Sequence, residues 1–138
     1  MNTIKDLELI ETRTFCNEQG VLVPYEYSDI FNTSINRTFI VLGKKNSTRG
    51  NHAHKKCIQY LCCIKGKCLI QCDDSKYSSK IFLDNPKKIL KIPNEIWSSQ
   101  DYLSEQSILM VFCTHKYEES DYIRDYSKFK EFRSLKEI

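Results

Sequence analysis

Short apolar-rich stretches separated by turn residues set the pattern of the chain. Residues 20–27, 35–42, 57–64, 67–72, 79–83, 88–92 and 107–113 are rich in β-branched, aromatic and other apolar side chains, and each is strand-sized. Lys65-Gly66 between two of them predicts a tight hairpin turn, and Asp73-Asp74-Ser75, Asp84-Asn85-Pro86 and Pro93-Asn94 mark further turns. Strands this short and this closely spaced predict an all-β fold: a single jelly-roll β-barrel or sandwich. The tail reads differently. Tyr122, Tyr126 and Phe129 fall at helical intervals, with acids early and lysines late, which suits a helix dipole. A short C-terminal helical or irregular arm is expected there, its aromatic stripe packed on the barrel or on a second subunit.

Length and composition narrow this picture. One domain spanning residues 1–138 is expected, because there is no repeat, no low-complexity tract and no Pro/Gly-rich linker. A hydrophobic share of 41% beside 28% charged residues is that of a globular protein and argues against disorder. The longest apolar runs fall far short of the roughly 20 residues that span a bilayer, so no membrane association is expected. The first residues carry acids where an export leader needs an apolar stretch, so a cytoplasmic location is expected. The 21 basic and 18 acidic side chains leave a charge of +3, scattered and mostly paired, which gives no case for nucleic acid.

Seven cysteines are an odd number, and Cys57, Cys62, Cys63, Cys68 and Cys72 crowd into one region. Adjacent Cys62 and Cys63 would point to opposite faces of a strand, which does not suit a zinc site. They are expected to be reduced residues that pack the core of an intracellular protein.

The distinctive stretch is Arg49-Gly-Asn-His-Ala-His-Lys55. On an extended backbone His52 and His54 point the same way, so both imidazoles are expected to project into one cavity. In spacing, His52-Ala-His54, Gln59 and Gly66 resemble the first motif of the cupins, with Gln59 where a Glu ligand stands. The second motif's third histidine falls on Ser98, beside Trp97. With two of four metal ligands replaced by weak ones, no metal and no cofactor is expected. Two histidines without a metal shift the expected chemistry to acid/base work.

A more specific resemblance joins this stretch to Asp73-Asp74, Ile92-Pro93-x3-Trp97 and Tyr117-Glu-Glu-x-Asp-Tyr-Ile-Arg-Asp-Tyr126. Together they resemble the sugar-nucleotide 3,4-ketoisomerases, metal-free cupins that act on dTDP-4-keto-6-deoxyglucose. The resemblance runs from about residue 18 to residue 130. It implies that the chain isomerises that substrate through an enediol(ate), on the way to 3-amino-3,6-dideoxy sugars of surface polysaccharide. His52 and His54 would be the acid/base pair, and Arg49, Gln59, Lys55, Trp97 and Arg37 would bind substrate. It also implies a homodimer with exchanged N-terminal strands. Gln19 and Phe39 stand where relatives carry Arg and Tyr, and Ser98 stands where many members carry His. Two other functions fit the residues: an isomerase or epimerase for another nucleotide keto sugar, and a cupin that binds a nucleotide sugar without turnover.

Overall fold

The computed structural model describes residues 1–137. Two five-stranded antiparallel sheets face each other. Their strands are β1 (Glu8–Glu11), β4 (Arg37–Gly43), β5 (Thr48–His54), β6 (Gln59–Lys65), β7 (Cys68–Asp73), β8 (Ser78–Leu83), β9 (Lys88–Ile92), β10 (Trp97–Tyr102), β11 (Ser107–Cys113) and β12 (Tyr122–Ile123). One sheet runs β1-β9-β6-β11-β4 and the other β12-β5-β10-β7-β8. This is the expected cupin-like jelly roll, with a C-terminal helix. Among the described residues no helix is long and apolar enough to cross a membrane.

The core between the sheets is built by alternation. Leu61, Cys63, Leu109, Val111 and Cys113 from one sheet meet Cys68, Ile70, Cys72 and Tyr102 from the other, all essentially inaccessible. Alternation also splits the adjacent cysteines as expected. Cys63 faces this core, whereas Cys62 faces outward onto a second cluster with Ile30, Phe31, Tyr60 and Phe112. The cysteines are all free, and every one except Cys16 is buried.

Lys65-Gly66 does not make the expected hairpin pair, because β6 and β7 belong to different sheets. Both strands present apolar faces to the interior, so the turn carries the chain across the sandwich and brings Cys63 Sγ to 3.6 Å from Cys68 Sγ. Gly66 takes φ +81°, and a Cβ there would lie 2.8 Å from Ser107 Oγ.

The stretch 20–27 is not one strand. Gly20–Leu22 (β3) pairs with Phe15–Asn17 (β2) in a small separate hairpin, and a short helix, α1 (Tyr27–Ile30), follows. Pro24 lacks the N–H a longer ladder would need.

The arm is helical. Helix α2 (Tyr126–Lys136) starts on Asp125, whose side chain accepts from Lys128 N–H at 3.0 Å, and Arg133 and Lys136 close its last turn. Phe129 is fully buried against the outer face of β5, with Ala53, Ile123 and Trp97. Tyr122 is not on this helix: it belongs to β12, paired with His54.

Candidate active site

The candidate site lies between the sheets at the end where β5 finishes and β4 and β6 begin. His52 and His54 share the inward face of β5, as a two-residue spacing on a strand requires, while Ala53 faces out. Their rings lie 5.1 Å apart, nearly perpendicular. Tyr122 packs on both, its ring centroid 5.0 Å from His52 and 4.4 Å from His54.

Arg49 would face away from His52 on a regular strand, being three residues earlier. A one-residue bulge reverses this. His52 pairs with Ser98, but Gly50 pairs with Ser99 and Arg49 with Gln100, so Asn51 is the extra residue. Asn51 takes φ +57° and Gly50 φ +91°. Arg49 thus shares the histidines' face, exposed at the rim.

Arg37 on β4 reaches inward from the opposite sheet. Its Nη2 donates to Tyr122 Oη at 3.3 Å and toward Cys113 Sγ at 3.6 Å. Gln59 is buried on the inward face of β6, its Nε2 donating to the same sulfur at 3.5 Å. The structure therefore brings Arg37 and Gln59 to one sulfur and links Arg37 to the ring that covers both histidines.

Two expected residues are not brought there. Trp97 pairs with Ala53 and faces outward, packed on Tyr126 and Phe129 at centroid distances of 5.3 and 5.7 Å. The reason is register: Ser98, its neighbour, takes the inward position opposite His52. Lys55 follows the end of β5 and is exposed on a groove of about 610 Å³ shared with Arg124, Asp125 and Lys128.

Sequence reasoning assigned no role to Asp121. Its Oδ2 lies 2.8 Å from His54 Nδ1, with only 6% and 10% of the two side chains exposed. Oδ1 accepts from Lys56 N–H at 2.7 Å and Oδ2 from Cys57 N–H at 3.4 Å. Arg124 stacks on Tyr122 at 4.3 Å and forms a two-bond pair with Glu119 at 2.6 and 2.9 Å. The signal was in the Asp121-Tyr122-Ile123-Arg124 motif, which carried the resemblance without contacts to explain it.

Burial, then the nearby His54 and Arg124, push His52 down to about 4, so its ring is neutral near pH 7. Cys57 lies beneath the pair; the Cys113 thiol beside it draws it below its ordinary range, and Cys113 is pushed up in turn. His54, Cys57 and Asp121 hold potential metal-ligand atoms within 4.8 Å of one another, the one such group among the described residues. Asp121 is already engaged by His54 Nδ1 and two backbone N–H groups, and Cys57 Sγ lies against the Ile58 carbonyl and the Thr114 hydroxyl.

Two buried ring nitrogens, His52 Nδ1 and His54 Nε2, have no partner among the described residues. Unpartnered polar atoms on one inward face, beside a cationic rim, suit an oxygen-rich anionic ligand that exchanges protons with imidazole.

Residues 5–134 match the family described as FdtA: WxcM-like, C-terminal. The TDP-4-oxo-6-deoxy-alpha-D-glucose-3,4-oxoisomerase of Aneurinibacillus thermoaerophilus is 32% identical over 126 residues, 91% of each chain. QdtA, a sugar 3,4-ketoisomerase from Thermoanaerobacterium thermosaccharolyticum solved with TDP, superposes with a TM-score of 0.91 at 28% identity, covering 99% of this chain and all of that one. A His-to-Asn variant of QdtA solved with TDP-4-keto-6-deoxyglucose superposes at 0.90 and 28% identity, over 96% and 97% of the two chains.

Proposed function

The chain belongs to the FdtA family, and from that membership we propose that it is a sugar-nucleotide 3,4-ketoisomerase acting on dTDP-4-keto-6-deoxyglucose. The observation that carries this reading is the pair of imidazoles on one inward face, each with a buried ring nitrogen free to meet a ligand. The C3 proton is acidified by the adjacent C4 carbonyl. One imidazole accepts it, and the C–H electron pair flows into an enediolate. Proton delivery to C4, with the O3 proton passing to O4, leaves the ketone at C3 and a hydroxyl at C4. Nothing is oxidised overall, and two histidines supply the acid and the base.

The remaining residues fit binding. Arg49 at the rim offers a planar fork to the diphosphate. Arg37 and Gln59, converging on Cys113, offer N–H donors to sugar hydroxyls. Exposed Phe15, Val21 and Leu22 on the β2–β3 hairpin, together with exposed Ile40 and Leu42 on edge strand β4, suit a homodimer that exchanges N-terminal strands and covers these edges. Such an enzyme would act in the cytoplasm and supply 3-amino-3,6-dideoxy sugars for surface polysaccharide such as O-antigen.

The test is incubation of the purified protein with dTDP-4-keto-6-deoxyglucose in deuterated buffer, followed by NMR. Deuterium incorporation and appearance of the 3-keto sugar are expected; absence of both overturns the reading. One observation favours a relative with altered substrate. Ser98, buried directly opposite His52, puts a hydroxyl where many members of the family carry a third imidazole. A panel of dTDP- and UDP-keto sugars separates the two, because ordinary rates on the standard substrate argue against an altered one.

A further inference from the structure

His54 differs from His52 in having a carboxylate behind it. The 2.8 Å contact between His54 Nδ1 and Asp121 Oδ2 is a short hydrogen bond, and its direction follows from the other donors. Asp121 already accepts from the backbone N–H groups of Lys56 and Cys57. A carboxylate serving two N–H donors is an acceptor, so the proton in the third bond sits on Nδ1. The opposite nitrogen, Nε2, then carries a lone pair, and it is one of the buried atoms with no partner among the described residues.

Asp121 cannot turn away from this duty. Lys55 N–H donates to the Asp121 carbonyl at 2.9 Å, Asp121 N–H donates to the Glu118 carbonyl at 3.0 Å, and the next residue pairs with His54 in the ladder. Tyr122 covers the ring at 4.4 Å and blocks its rotation.

We propose that Asp121 is a positioning residue that locks His54 in the Nδ1–H tautomer, so that Nε2 meets the substrate as a proton acceptor. This role rests on the isomerase reading. When Nε2 takes a proton from the substrate, the bonding pair stays on the sugar as the enediolate. The ring becomes an imidazolium facing the carboxylate, and it reverts when the proton returns to the sugar. Without the carboxylate the same ring would present an N–H where an acceptor is required.

Two measurements test the proposal. In the free wild-type protein with 15N-labelled histidine, two-bond 1H–15N correlations are expected to show His54 protonated at Nδ1. In Asp121→Asn the amide oxygen still accepts from Lys56 N–H, but its NH2 group donates to Nδ1 and drives the ring to the Nε2–H form. kcat is expected to fall about 100-fold or more, with KM changed less than about threefold. A loss of fold alone would not flip the tautomer. An Nε2–H form in the wild type, or an Asp121→Asn kcat within about twofold of wild type, overturns the role. If the wild type itself turns over no substrate, the isomerase reading fails, and the wild-type tautomer still decides the part played by Asp121.

Discussion

Arg37 Nη2 donates to Tyr122 Oη at 3.3 Å, joining the edge strand of one sheet to the edge strand of the other across the candidate site. The guanidinium is further flanked by the rings of Phe39 and Tyr117, at 5.5 and 5.6 Å. Tyr122→Phe keeps the ring on both imidazoles and removes only this link, leaving Nη2 with the weak acceptor Cys113 Sγ. A stability loss of about 1 kcal/mol is expected, a fall of several degrees in melting temperature. An unchanged calorimetric melting curve would show that the two edges hold together without it.

His52 makes stability depend on pH with a defined sign. Its folded value of about 4 lies below the 6.5 of the unfolded chain. Between these values the unfolded state binds more protons, so stability is at its full level above 6.5 and falls as pH drops toward 4. Allowing for the ring's partial exposure, the loss at the acid end is about 2–3 kcal/mol. Melting temperatures of the wild type and of His52→Asn, followed over that window, should converge as pH falls. Parallel curves would sink the assignment.

The thiols should divide by accessibility. Burial pushes Cys62 up to about 11 and Cys72 up to about 12, so neither offers a thiolate near neutrality. Cys16 alone is exposed. Titration of the native protein with a chromogenic disulfide should release one fast equivalent, whereas denaturant should expose all seven thiols. A second fast equivalent from Cys57 would mean that the region beneath His54 opens readily.

Much of this architecture was legible in the sequence. β9 and β11 fall on the apolar runs 88–92 and 107–113 without adjustment, and β4, β6, β7 and β8 lie within one or two residues of theirs. β5 and β10 gave no such signal. Most of their inward positions are filled by His52, His54, Ser98 and Gln100 rather than by apolar side chains, because they line the site, and only Tyr102 at the end of β10 reaches the core. The shared face of the histidines followed from spacing alone. The face taken by Arg49 did not, since it depends on a bulge that no alternation pattern encodes. Trp97 was read one residue away from the inward position that Ser98 holds. Asp121 was out of reach because its value lies in a contact 67 residues away in sequence.

Trp97, the single tryptophan, reports on helix docking because it packs on Phe129 and Tyr126. Phe129→Ala empties a fully buried position, and a loss of about 3–5 kcal/mol is expected. The indole emission should shift to the red as α2 loosens from the outer face of β5. Unshifted emission with the same loss of stability would place the damage elsewhere.

The bulge at Asn51 gives the last prediction, because it alone puts Arg49 on the histidines' face. Gly50 holds φ +91°, and a Cβ there would lie 3.0 Å from the Ser98 carbonyl oxygen and 3.1 Å from Ser99 Cα. Neither is a flexible group, so Gly50→Val must move backbone of β5 or β10 beside His52, at a cost of about 1–3 kcal/mol. Arg49→Ala, at an exposed rim position, removes the guanidinium and disturbs nothing else. If Arg49 holds the diphosphate, Arg49→Ala should raise KM about tenfold with kcat little changed and melting unaltered. Gly50→Val should show that KM rise together with a fall in kcat, since the same ladder pairs Ser98 with His52, and a lowered melting temperature. A normal KM in both variants would remove Arg49 from the binding site; a normal KM in Gly50→Val alone would show that the bulge is not what aims it.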